Sequence, residues 1–148
     1  THKVVNTHTI EIVEQRLLVE PGSFVLDIQQ AAPYFRKQGA LGFINSFVNN
    51  ALPGMKHPIT GVFDVLELLY HTHPTQHNGL SLAVSHDTIL AAIVAVISGN
   101  KQIEQSDWPD MMEGLFVWFE GEDFSNSKLK WIWRGQKHEL VIKDFQNK

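Results

Sequence analysis

Ser85-His86-Asp87-Thr88 stands between two apolar runs, Leu80 to Val84 and Ile89 to Ile97. That order of residue types suits an anion. A helix opening just after His86 presents unpaired first-turn amides and the positive end of its dipole, and a protonated imidazole adds a charge-assisted donor. Phosphate is the natural ligand, with His86 and Thr88 as its binding residues. Asp87 has two possible uses: an ionised cap accepting amide hydrogen bonds, or a proton donor to a leaving alkoxide if burial and a nearby phosphate raise its pKa. A purely structural assignment, with Asp87 and Thr88 as caps and His86 as a hydrogen-bonded loop histidine, accounts for the spacing equally well.

A second group of chemical residues is His71-Thr72-His73-Pro74, with Ser81 beyond it. Two histidines at i and i+2 on an extended segment can share one metal face. The string HTHPTQHNGLS resembles the zinc signature of JAMM-type metalloproteases, which cleave isopeptide bonds in ubiquitin conjugates. That resemblance requires an aspartate three residues after the serine, where this chain has Val84. The third protein ligand is therefore missing, and His77, on a polar loop, is a poor substitute. The expectation is no metal, at most a relic of such a peptidase, with His71 and His73 near a helix C-terminus that favours partly protonated imidazoles.

The elements that would position these residues follow from periodicity and punctuation. Residues 9 to 20, TIEIVEQRLLVE, are β-branched and aliphatic and end at Pro21-Gly22, which predicts an extended segment broken near Glu14. From Phe24 to Leu52 the pattern is helical in short pieces, interrupted by Pro33, Gly39, Gly42 and Pro53. Thr60 can cap a helix with Val62, Val65, Leu66 and Leu69 on one face, ending before Pro74. Leu80 to Val84 then reads as a buried strand, and Thr88 to Ser98 as a helix closed by Gly99. This order predicts an α/β fold with a mainly parallel central sheet flanked by helices, and His86 at a strand's C-terminal end facing a ligand crevice. LFVWFE (115–120), KLKWIWRG (128–135) and KHELVIKDF (137–145) predict a two- or three-strand antiparallel meander added to the sheet's edge. Trp108, Trp118, Trp131 and Trp133 read as packing aromatics and His138 as solvated surface.

Residues 80 to 99, a strand running into Ser85-His86-Asp87-Thr88 and then an apolar helix, resemble the second signature of the histidine phosphatase superfamily, which includes phosphoglycerate-mutase-like enzymes and histidine acid phosphatases. The His-Asp-Thr form is similar to the acid-phosphatase branch. So is Trp108-Pro109 followed by LFVWFE, a loop and LKWIWRG. Val19-Glu20-Pro21-Gly22 resembles the segment that supplies the acidic residue in some protein-tyrosine phosphatases of the other branch. The likeness implies a phosphoglycerate-mutase-like fold and phosphomonoester hydrolysis through a phosphohistidine, without a cofactor. His86 would bind the phosphate, and Asp87, or alternatively Glu20, would protonate the leaving group. The family's nucleophile lies in an Arg-His-Gly motif, yet Arg16, Arg36 and Arg134 are this chain's arginines and none precedes His-Gly. The expectation is the C-terminal part of such a domain, lacking its first strand and inactive unless the missing segment is supplied. A non-catalytic phosphatase-like binding module is the alternative.

Composition sets the outer limits. With 148 residues, 43% hydrophobic and 19% charged, the chain suits one domain over residues 1–148. Twelve basic against sixteen acidic residues, net −4, give no basic footprint for nucleic acid or an anionic membrane. A phosphorylated small molecule or phosphoprotein is the expected partner, with the missing N-terminal segment or a second copy of the chain as a further one. The absence of cysteine excludes a thiol nucleophile and thiolate ligation. No apolar run approaches the ~18 residues of a membrane span, so a soluble and slightly more cytoplasmic chain is expected.

Overall fold

Asp27 opens the first helix. Its carboxylate accepts from the backbone N–H groups of Gln29 at 2.9 Å and Gln30 at 3.4 Å, satisfying donors that a first turn leaves without intrahelical partners, and from the Gln30 side-chain amide at 2.7 Å. In the computed structural model, which describes residues 12–19, 23–74 and 78–148, this helix, α1, spans Ile28–Val48. The short pieces expected here are joined into one element with a kink at Gly39, where φ is 69° and ψ 177°. That region of backbone space is essentially reserved for glycine. Beyond the kink Phe43, Ile44, Phe47 and Val48 turn into the core.

The second helix, α2, runs from Pro58–Thr72. Its cap is His57 rather than Thr60: Nδ1 accepts from Ile59 N at 3.3 Å, and Pro58 occupies the first turn, where a missing N–H costs little. The expected stripe is real, since Val62, Val65 and Leu66 are fully buried. Helix α3, Asp87–Ser98, ends at Gly99 as expected and packs against both α1 and α2. Asn45 fastens the arrangement, donating to Ile103 O at 2.9 Å and accepting from Ile103 N at 2.7 Å, while Lys101 Nζ donates to Val48 O at 3.1 Å.

All paired strands described lie in the last third of the chain. β1 (Phe116–Glu120), β2 (Lys128–Trp133) and β3 (Gln136–Val141) form one antiparallel sheet in the order β1-β2-β3. Leu129 and Trp131 turn inward, and Lys130 on the opposite face bridges Glu120 at 2.7 Å. Arg134 (φ 49°) and Gly135 (φ 77°) join β2 to β3, both in the left-handed conformation that a two-residue hairpin turn matched to strand twist demands. The last segment does not continue as strand to Phe145: Ile142–Gln146 is a short helix, α4, which buries Ile142 and Phe145 and packs on α2.

The mainly parallel central sheet expected from the sequence is therefore wrong. Four helices and one wholly antiparallel three-stranded sheet make up the described fold, with no parallel pairing. Leu80 to Val84 is not a buried strand. Leu80, Leu82 and Val84 are 83%, 84% and 78% exposed, and the segment belongs to no sheet. The physical reason is that apolar alternation is a local property, whereas a strand also needs a neighbour to receive its N–H and C=O groups. The nearest candidate in the sequence, 9 to 20, supplies a 3-10 turn at Arg16–Leu18 instead, and residues 1–11 and 20–22 lie outside the described residues. Among the described residues no helix is long and apolar enough to cross a membrane.

Candidate functional site

His86 is the N-cap of α3, with extended backbone (φ −97°, ψ 156°), and its carbonyl accepts the first helical bond from Leu90 N at 3.0 Å. Its side chain makes no capping bond and is exposed. The residue thus sits at the positive end of a twelve-residue helix, and its ring makes no hydrogen bond among the described residues, which leaves an N–H for an anion there. Immediately before it, Ser85 Oγ donates to Leu18 O at 2.7 Å, tying the approach to α3 to the 3-10 turn. Immediately after it, Thr88 is buried in the first turn.

Asp87 is held from two sides. Oδ1 accepts from its neighbour's amide, Thr88 N, at 2.7 Å, and Oδ2 accepts from Trp108 Nε1 at 2.9 Å. His86 is the N-cap, so Asp87 accepts this amide from within the first turn and not as the cap, and Trp108 is more than a packing aromatic: its indole N–H is the polar handle that a half-buried tryptophan tends to place on a partner. Trp108 is fixed in turn by Arg134. That guanidinium donates to Trp108 O at 3.0 Å, to Ser106 O at 2.6 Å and to both carboxylate oxygens of Glu113 at 2.7 and 2.8 Å. A fork-to-fork pair of this kind is the strong form of an ion pair. It holds the Glu113 carboxyl well below its usual value, to about 2, chiefly through the Arg134 hydrogen bond and next through the bond from Asp110 N. A continuous line of contacts thus runs from the β2–β3 turn through Glu113, Arg134 and Trp108 to Asp87 and the start of α3.

Of the four candidate site residues, His86, Asp87 and Thr88 are brought to one place, and Glu20 lies outside the described residues. Arg134 and Glu113 were not anticipated. An Arg-Gly pair between two alternating runs signals the hairpin turn, but its reach to a loop some twenty residues earlier has no local signature.

The histidine pair offers no centre. His71 is helical and His73 is the C-cap of α2, so the extended segment that would align them on a metal is absent. Both are exposed, the His73 ring lies against Tyr70, and Ser81 Oγ donates to Thr72 O at 2.8 Å. Among the described residues no group of three or more histidine, aspartate or glutamate side chains is arranged to hold a metal ion; His77 lies outside them. His138 is exposed as expected, yet it stacks on Trp131 with ring centroids 5.3 Å apart. No family model matches the chain, and neither a curated protein nor a solved structure matches it.

Proposed function

We propose that this chain supplies the phosphate-binding and proton-donating part of a phosphomonoesterase that works through a phosphohistidine. The observation that carries the reading is the restrained start of α3: Asp87 is anchored by Trp108 at 2.9 Å while the adjacent His86 ring remains exposed at the helix's positive end. A phosphate drawn there meets the helix dipole and an imidazole N–H. Ser85-His86-Asp87-Thr88 followed by an apolar helix resembles the second signature of the histidine phosphatase superfamily and supports the same assignment at the level of these residues alone, since the strand before them and the parallel, phosphoglycerate-mutase-like sheet that the resemblance implied are not found in the described fold.

In the reaction a histidine nitrogen forms a bond to phosphorus as the ester P–O bond breaks, and the leaving oxygen takes the proton of the Asp87 carboxyl. Water then breaks the P–N bond, releasing phosphate and returning a proton to Asp87. Both Asp87 oxygens now accept N–H bonds, so the protonated acid must give up one of them, and Glu20 is the competing donor. Arg16, Arg36 and Arg134 are followed by Leu17, Lys37 and Gly135, so the Arg-His-Gly nucleophile must come from outside these residues. That absence favours a second reading, a non-catalytic module that binds a phosphorylated small molecule or phosphoprotein.

Titrating inorganic phosphate while following histidine ring signals by NMR tests both. Phosphate should shift the His86 resonances, and His86→Ala should abolish binding. Unchanged phosphate affinity in that variant would remove the basis for either reading. The two then separate on an aryl phosphate assay of the chain supplemented with an Arg-His-Gly-bearing segment: turnover that His86→Ala lowers supports the enzyme, and its absence supports the module.

A further inference from the structure

The half of α1 that precedes the Gly39 kink stands over a cavity of about 280 Å³, walled mainly by Phe24, Ile28, Phe35, Phe43, Ile44 and Met55 and reaching Thr88 in the first turn of α3. Roughly 150 Å³ of apolar cavity is enough to take a benzene ring, so this space suits a flat body of about two rings. Three of its walls are phenylalanines, and Phe35 and Phe43 meet edge to face at 5.3 Å, a geometry that extends readily to another aromatic ring.

Two polar features break the apolar lining. Ser23 is 1% exposed, it lines the cavity, and its Oγ has no hydrogen-bond partner among the described residues. A buried hydroxyl in that condition destabilises the fold until something pairs with it. Arg36, at the mouth and exposed, forms no ion pair among the described residues, whereas Arg134 is fully committed to Glu113 and two carbonyls. An unneutralised planar fork matches a carboxylate through two parallel hydrogen bonds. One cation balances one negative charge, which favours a carboxylate over a phosphomonoester carrying close to two at neutral pH.

We infer that this cavity binds a small aromatic carboxylate, with its rings among the phenylalanines, its carboxylate on Arg36 and a ring hydroxyl or carbonyl within reach of Ser23 Oγ. The site meets the His86 assignment at Thr88 alone, which lines the cavity, and does not depend on it.

Calorimetric titration of the purified chain with 2-naphthoate, and with 6-hydroxy-2-naphthoate for the Ser23 contact, tests the inference. Saturable one-site binding is expected, weakened at least tenfold by Arg36→Gln and abolished by Ala32→Phe, which fills the cavity from α1. Ser23→Ala should remove the advantage of the hydroxylated probe and leave 2-naphthoate unaffected. Arg36 is exposed and forms no ion pair among the described residues, so Arg36→Gln keeps the fold and remains decisive even if Ala32→Phe does not. Equal affinity in wild type and Arg36→Gln, or no saturation at millimolar probe, overturns the site. So does a dimer in sedimentation that Ala32→Phe dissociates, because a second copy would then be the cavity's occupant.

Discussion

Asp87 and Trp108 are 21 residues apart and meet through one indole N–H at 2.9 Å. Trp108→Phe keeps most of the ring's packing and removes that donor alone. Hydrogen bonds to a charged group contribute about 1.5–3 kcal/mol when sheltered; Asp87 is exposed, so the loss expected in urea unfolding is about 1 kcal/mol. In a cycle with Asp87→Asn the two effects should fall short of additive, as expected of residues that share one bond. Glu113 makes a prediction in pH. Its folded pKa is depressed from 4.5 to about 2 by Arg134, so its contribution is complete above the unfolded value and is lost as pH falls through the folded one. The stability gap between wild type and Glu113→Gln should be constant from neutral pH down to about 5, narrow below that, and close near pH 2. A gap that persisted unchanged at pH 2 would show that the Arg134 pair is not its source.

Among the elements, α1 is the one whose form depends on a single backbone conformation. Gly39→Ala puts a side chain into open space but onto a φ of 69° and ψ of 177°, so the substitution is expected to cost about 1–3 kcal/mol of strain. Calorimetric melting measures it. The elements also differ in how far the sequence disclosed them. Helix α3 was legible because an apolar run and a closing Gly99 are local signals, and the β1-β2-β3 meander because alternation and an Arg134-Gly135 turn are local too. The start of α2 was displaced because an imidazole at His57, not the hydroxyl of Thr60, accepts the first-turn amide. The segment from Leu80 to Val84 misled because its pattern is that of a strand while its pairing, a non-local matter, is absent from the described fold. The site divided in the same way: His86, Asp87 and Thr88 are contiguous and could be named, whereas the Arg134 fork reaches them only through folded geometry.

For the molecule as a whole, hydrophobic type and stabilising role part company. Leu66 is fully buried where the helices meet, and Leu66→Ala should cost 2–5 kcal/mol, the usual range for a core leucine. Leu82, 84% exposed, should tolerate Lys within about 0.5 kcal/mol, as exposed positions do. Urea midpoints of the two variants measured side by side check the contrast. The exposed segment 78–86 ahead of α3 has a consequence beyond stability. A protease meets there a stretch of accessible backbone that belongs to no helix or sheet, the kind of substrate that nicking enzymes prefer. Brief digestion should therefore sever the chain near Leu82 first. The halves should then stay together through a gel-filtration column, since α1 and α2 pack on α3, and Asn45 and Lys101 bond across the divide. Mixed after separation, they should reassemble as a two-piece protein.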